Sequence, residues 1–319
     1  MLRLPSTAMR GHFGWMAAGA LALLAMPTAA SGQAKKKEAP PASTLDQVRS
    51  TGTLRLGYRT DARPFSYEEG TGSPTGFTVE LCQRVQQAVK TELNLSELKV
   101  QWVPLTASTR LEAVQRGDVD VLCGAMSETL ERRKQVDFSA PVFPGGVGAV
   151  VRSDATKRLK NILEGEAVRY TPTWKAVSLN ILREQVFATV PGTTAEQWVK
   201  QKAQELQVQS RVTPVPNYQA GVQAVLDRQA SAFFAERAAL LDAAQRGKNA
   251  DDLTVLDRHF TVEPLALVLR RGDEDFRLLV DRTLSQLYNS ADFNTLYTKW
   301  FGEPDEAALE FYRWNALPN

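Results

Sequence analysis

The sequence predicts an α/β protein built as two lobes, and three observations carry that reading. Short apolar strands alternate with helices along nearly the whole chain, the pattern of mostly parallel sheets covered by helices. The alternation falls into two units of roughly 100 residues each, an ordinary domain size. Two further apolar runs, Gly145–Arg152 and Val262–Arg270, flank the second unit. If both cross between units, the chain leaves one lobe, builds the other and returns, and such a pair of connections makes a hinge.

In the first unit, Thr53–Tyr58 reads as a strand and Thr78–Leu93 as a helix with apolar residues at helical spacing. Val100–Leu105 is a second strand, Ser108–Arg116 a helix, and Val119–Cys123 a nearly continuous apolar strand. The second unit reads strand Val186–Val190, helix Thr194–Gln204, strand Val212–Val215, helix Tyr218–Arg228, strand Ala230–Ala235 and helix Arg237–Ala244. Helices Glu274–Ser290 and Asp292–Trp300 follow the return, and the tail 303–319 is expected to pack back as a short helix. These elements divide the chain into a lobe of 45–148 plus 260–319 and a lobe of 149–259. An irregular insertion near 160–185 holds Arg169, Pro172 and Trp174 without clear periodicity.

The N-terminus has a different character. Arg3 and Arg10 precede the apolar run Trp15–Met26, and the small residues Thr28, Ala29 and Ala30 follow. This is the layout of a secretory signal peptide over 1–30, too short to span a bilayer, which needs about 20 apolar residues. Residues 31–44 read as a flexible linker, and export implies an oxidising compartment.

The 319 residues are 43% hydrophobic and 23% charged, which excludes disordered and disulfide-dense classes. A net charge of +2 supplies no field for nucleic acid. Removing the leader also removes His12 and leaves His259 as the single histidine, so no histidine-based metal centre is expected. With no G-x-x-x-x-G-K-[ST] there is no nucleotide site, and no cofactor is expected. Cys82 lies on the apolar face of its helix and Cys123 on the inward face of its strand. They are either bridged or two separate buried thiols.

One stretch is more specific. Arg110-Leu-Glu-Ala-Val-Gln-Arg-Gly-Asp-Val-Asp-Val-Leu-Cys-Gly-Ala-Met-Ser127 runs on into Glu128-Thr-Leu-Glu-Arg-Arg-Lys-Gln-Val-Asp-Phe-Ser139. Together with Arg59, Pro64–Tyr67, Gly76-Phe77, Gly192-Thr193-Thr194 and Lys299–Gly302, in that order, it closely resembles the family 3 bacterial extracellular solute-binding proteins. Within that family it looks most like the glutamate/aspartate-binding branch, because Ser43–Asp46, Arg59 and Arg110 match there. The resemblance implies a type II periplasmic-binding-protein fold and a monomer in the periplasm. It also implies an L-amino acid as ligand and the membrane permease of an ABC importer as partner.

The chemistry agrees. An α-amino acid brings a carboxylate and an ammonium that both need partners once water is excluded. Arg132 offers a planar, two-pronged donor for the carboxylate. Thr193 and Thr194, after Gly192 at a strand-to-helix turn, offer a helix N-terminus. In the family these elements lie on opposite lobes. The ammonium would meet the Ala125 carbonyl, the Ser127 hydroxyl and Glu236, which stands where the family usually has aspartate. The resemblance further implies that Phe65 or its neighbour stacks on the ligand and that Arg59 and Arg110 face its side chain. Set against this, Thr193-x-x-Glu196 is also a capping box that needs no ligand. Ala107 and Ala125 stand where that branch commonly has serine. Two other functions fit the same scaffold: a dehydratase-like enzyme using Glu236 as general acid, and a soluble ligand-sensing adaptor.

Overall fold

The computed structural model describes residues 43–70, 72–165, 181–246 and 250–318. The expected signal peptide, nearly all of the linker and the centre of the insertion lie outside the described residues. Ser43 and Thr44, assigned to the linker from sequence, belong to the fold. The Ser43 hydroxyl accepts from the Asp46 N–H and caps the helix Thr44–Thr51.

The first lobe is organised on one sheet with strand order Lys99–Leu105, Thr53–Arg59, Val121–Ser127, Glu263–Leu269 and Asp137–Phe138. Leu54, Leu56, Val121 and Leu267 are fully buried in it. The helix Phe77–Glu92 covers one face because its apolar residues fall at helical spacing, burying Phe77, Leu81, Val85 and Val89. The second sheet runs Arg211–Pro214, Val186–Thr189, Ala232–Glu236, Val147–Arg152 and Leu253–Val255.

Three strands of each sheet are parallel, as expected. The two strands that bring the chain into a lobe, Val147–Arg152 and Glu263–Leu269, are antiparallel to the neighbours they join. The reason is geometric. The parallel strands all run toward the space between the lobes, ending at Arg59, Ser127, Thr189 and Glu236. A chain arriving from the other lobe starts at that edge and must run the opposite way.

The crossing strand expected over Gly145–Arg152 is broken. Phe143–Gly145 pairs with Glu263–Leu265 in the first sheet, while Val147–Arg152 belongs to the second. Gly146 is the break, and a Cβ there would lie 2.1 Å from the Thr261 carbonyl oxygen. The returning crossing, 256–262, is bonded to the outgoing one. The Val147 N–H donates to the Thr261 hydroxyl at 2.9 Å, and the Phe260 N–H donates to the Val147 carbonyl at 2.8 Å. The tail forms the helix Glu306–Asn315, held by buried Tyr312, whose hydroxyl donates to the Val142 carbonyl at 2.8 Å.

Cys82 and Cys123 are bonded to each other, with Cα atoms 5.9 Å apart and a sequence separation of 41. Closing a loop of that length restricts the unfolded chain by about 4 kcal/mol in the chain-entropy account. Reductant should therefore lower the melting temperature by several degrees. Two titratable thiols in denaturant without reductant would contradict the bridge.

Candidate ligand-binding site

Between the two sheets, at the carboxyl ends of their parallel strands, lies a cleft with about 440 Å³ of empty space. This is where open α/β sheets place ligands. Arg110, Ala125, Ser127 and Arg132 line it from the first lobe, and Thr193, Thr194, Tyr218 and Glu236 from the second. Val147, Val190 and Leu265 supply apolar wall.

Arg132 sits in the short helix Leu130–Arg133, whose N-terminus is capped by the Thr129 hydroxyl. Its Nη1 donates to the Ser127 carbonyl at 2.7 Å, and its Nη2 reaches the Gly192 carbonyl of the other lobe at 3.2 Å. Burial holds the guanidinium below its ordinary pKa, and the carboxylate of Glu263 works against that shift.

Thr193 is first of all a cap. Its hydroxyl accepts from the Glu196 N–H at 3.3 Å and donates to the Val190 carbonyl at 2.7 Å. The reciprocal bond of the capping box reaches one residue further back: Glu196 Oε2 accepts from the Gly192 N–H at 2.8 Å. Thr194, the first helical residue, donates its hydroxyl to Glu263 Oε2 at 2.8 Å and lies 3.3 Å from the Ser127 hydroxyl. The helix Thr194–Glu205 thus presents its N-terminal end to the cleft, with Thr193, Thr194 and Ala195 in the wall.

The positive charge behind this clamp is dense. Arg110 is buried and its Nε has no hydrogen-bond partner among the described residues. Burial, together with Arg59 and Arg132 nearby, pulls its pKa down to about 9, while Tyr218 and Asp61 oppose the shift. Arg59 is 1% exposed and lies behind the cleft rather than in its wall. Its Nε donates to Asp61 Oδ1 at 2.8 Å, and its Nη2 lies 2.6 Å from the same oxygen without the alignment of a hydrogen bond. Its own aspartate therefore already neutralises Arg59.

Glu236 ends the strand Ala232–Glu236 and points back at the crossing. Its Oε2 accepts from the Gly146 N–H at 2.9 Å and its Oε1 from the Ala238 N–H at 3.1 Å. Some of its surface still opens into the cleft, but protein surrounds it on most sides. Burial pushes the carboxyl up to about 7, Glu263 adds to the rise, and the two N–H donors restrain it.

Phe65 stands apart from these residues. Its ring packs 5.1 Å from Phe143 and 5.7 Å from Phe301, in the aromatic core of the first lobe, and is absent from the cleft wall. Its backbone still supports the site from behind, since the Phe65 carbonyl takes the Thr78 N–H and hydroxyl. Met126 is likewise core. Sequence reasoning missed Tyr218, Asp61 and Glu263. Tyr218 carried a usable signal: it follows the cap Asn217 at a strand-to-helix turn of the second lobe, as Thr194 follows Thr193. Asp61 and Glu263 lie outside such turns.

Residues 54–303 match the bacterial extracellular solute-binding proteins, family 3. An L-glutamate/L-aspartate-binding protein of Pseudomonas aeruginosa is 33% identical over 265 residues, covering 82% of this chain and 80% of that protein. A glutamate/aspartate import solute-binding protein of Escherichia coli is 26% identical over 287 residues, covering 89% and 88%. Among solved structures, an ancestral amino-acid-binding protein described as a precursor of cyclohexadienyl dehydratase aligns with a TM-score of 0.65. It is 29% identical, over 82% of this chain and all of that one. A cysteine-binding protein of Campylobacter jejuni shares the fold, with a TM-score of 0.67 and 20% identity over 85% of this chain and 98% of that one. With the two lobes and the cleft between them, these matches place the chain in family 3 of the bacterial extracellular solute-binding proteins.

Proposed function

We propose that the protein is exported, captures an acidic L-amino acid, aspartate or glutamate, in the interlobe cleft, and delivers it to the permease of an ABC importer. The observation that carries this reading is Arg110: a buried guanidinium in the cleft wall, short of a hydrogen-bond partner and crowded by two other arginines. A second carboxylate on the ligand supplies what it lacks. Arg132 and the N-terminal end of the helix Thr194–Glu205 take the α-carboxylate, and Glu236, the Ala125 carbonyl and the Ser127 hydroxyl take the ammonium. The names of the glutamate/aspartate-binding relatives support the same ligand. Bonds from both lobes to one ligand favour the closed form, which is how binding shifts the hinge.

Thermal melts of refolded protein against the twenty L-amino acids test the reading. Ligand at 100 times its dissociation constant adds about 2.7 kcal/mol, a shift of several degrees. A response confined to aspartate and glutamate supports it, and a response to neutral amino acids alone overturns the acidic ligand. Arg110→Met should weaken aspartate binding by about 100-fold, since a desolvated charge pair is lost. The unliganded variant should melt at or above the parent temperature, because an under-compensated buried cation has gone. Unchanged affinity by calorimetry removes Arg110 from the site.

Glu236 sets a pH dependence. Its carboxyl stands at about 7 against an ordinary 4.5. Between those values the native state keeps a proton that the unfolded chain has released. Unliganded stability therefore falls as pH rises through this window. Affinity moves the other way, because the ligand's ammonium needs the ionised carboxylate. It should drop by about tenfold per unit as pH falls below 7. Glu236→Gln should flatten both dependences, and a parent affinity constant from pH 5 to 8 removes Glu236 as the ammonium's partner.

The same carboxyl supports a second reading. A buried acid at about 7 suits general-acid work, and one structural neighbour is described as the precursor of a dehydratase. Aromatic product formed from prephenate or arogenate would favour an enzyme over a binding protein.

A further inference from the structure

Glu263 stands at the first position of the returning strand Glu263–Leu269, paired with Gly145 beside the crossing. Its carboxylate is held at both oxygens by side chains. Oε1 accepts from the Thr261 hydroxyl at 2.6 Å, and that hydroxyl is itself fixed as acceptor of the Val147 N–H at 2.9 Å. Oε2 accepts from the Thr194 hydroxyl of the second lobe at 2.8 Å. A hydroxyl has one proton to give. With that proton committed to Glu263, Thr194 faces the cleft as an acceptor and cannot donate to an incoming carboxylate. The negative charge of Glu263 also stabilises the Arg132 guanidinium across the same gap. One protein carboxylate therefore serves both cleft groups, Thr194 and Arg132, that a carboxylate ligand would claim.

We propose that Glu263 is an internal stand-in for the ligand's α-carboxylate: it ties Thr194 to the returning crossing, draws the lobes together, and must release Thr194 when a carboxylate ligand binds. This deepens the reading of the cleft as a carboxylate clamp and rests on it. The anchor on Thr261 suits the exchange. When Thr194 turns to the ligand, Glu263 keeps one partner at the crossing and is not left bare in the cleft. The residue thus positions Thr194 and lowers the affinity the site would otherwise have, while partly closing the cleft beforehand.

Two measurements test this, and one needs no ligand. In small-angle scattering of the full chain without added ligand, E263A and T194V should each give a larger radius of gyration than the parent. The double variant should add nothing beyond T194V, which removes this bond and the Ser127 contact together. Titrated with aspartate and glutamate by calorimetry, E263A should bind the preferred one at least threefold more tightly. Scattering profiles identical to the parent overturn the tie between lobes. A loss of affinity in E263A overturns the stand-in and makes Glu263 a partner of the ammonium. Should E263A fold poorly, E263Q keeps the shape and an acceptor for Thr194 but drops the charge. With Thr194 still tied, it should keep the parent's radius and gain less affinity than E263A. If the parent binds neither amino acid, the ligand reading fails, while the scattering comparison still decides whether Glu263 joins the lobes.

Discussion

The rest of the structure depends on the close approach of the two strands of chain that pass from lobe to lobe. Gly146 lies so near the Thr261 carbonyl that no side chain fits. The Val147 N–H and the Thr261 hydroxyl bind the two passages into one narrow bridge. The strands that line the cleft end in the space between the lobes, and two of them, Val121–Ser127 and Ala232–Glu236, pair with strands that start from this bridge. Strand direction, the antiparallel entry of Val147–Arg152 and Glu263–Leu269, and the place where helix N-termini face inward all follow from it.

The bridge also brings charges together. Glu236 reaches the Gly146 N–H, and Glu263 reaches Thr194 and Thr261. On the other side, Arg110 and Arg132 are buried against a wall that gives them few counter-ions of their own. Buried charges are costly unless paired, so the cleft holds opposed groups under tension between desolvation and neutralisation. Arg59 shows the resolved case, since Asp61 lies beside it. Arg110 shows the unresolved one, and a site built of both kinds selects for ligands that complete the pairing.

Much of this was legible in the amino-acid sequence, for a local reason. The helix Phe77–Glu92 is written in Leu81, Cys82, Val85 and Val89, and the cap at Thr193 in its own hydroxyl and Glu196. Seven residues singled out from sequence line one cleft because they sit at the ends of strands or the starts of helices, positions that a pattern of periods reveals. What the sequence did not reveal was non-local. The direction of the entering strands depends on where the lobes meet. The packing of Phe65 was not legible because the rings that enclose it, Phe143 and Phe301, come from distant parts of the chain. Glu263 opens a strand whose run of apolar residues looked like crossing and nothing more. Its role exists only because Thr194, on the other lobe, comes within reach.

The C-terminal helix has a mechanical consequence. The Tyr312 hydroxyl grips the Val142 carbonyl, and the Tyr288 hydroxyl grips that of Pro141, the two residues just ahead of the outgoing passage. A pivot rotates cleanly only if its mounting does not give. By clamping the chain immediately before the bend, these two phenols serve as the bearing housing of the hinge. Any swing of one lobe against the other then pivots after Gly145, with the chain on the near side held to the first lobe by one tyrosine from each of the helices Glu274–Tyr288 and Glu306–Asn315.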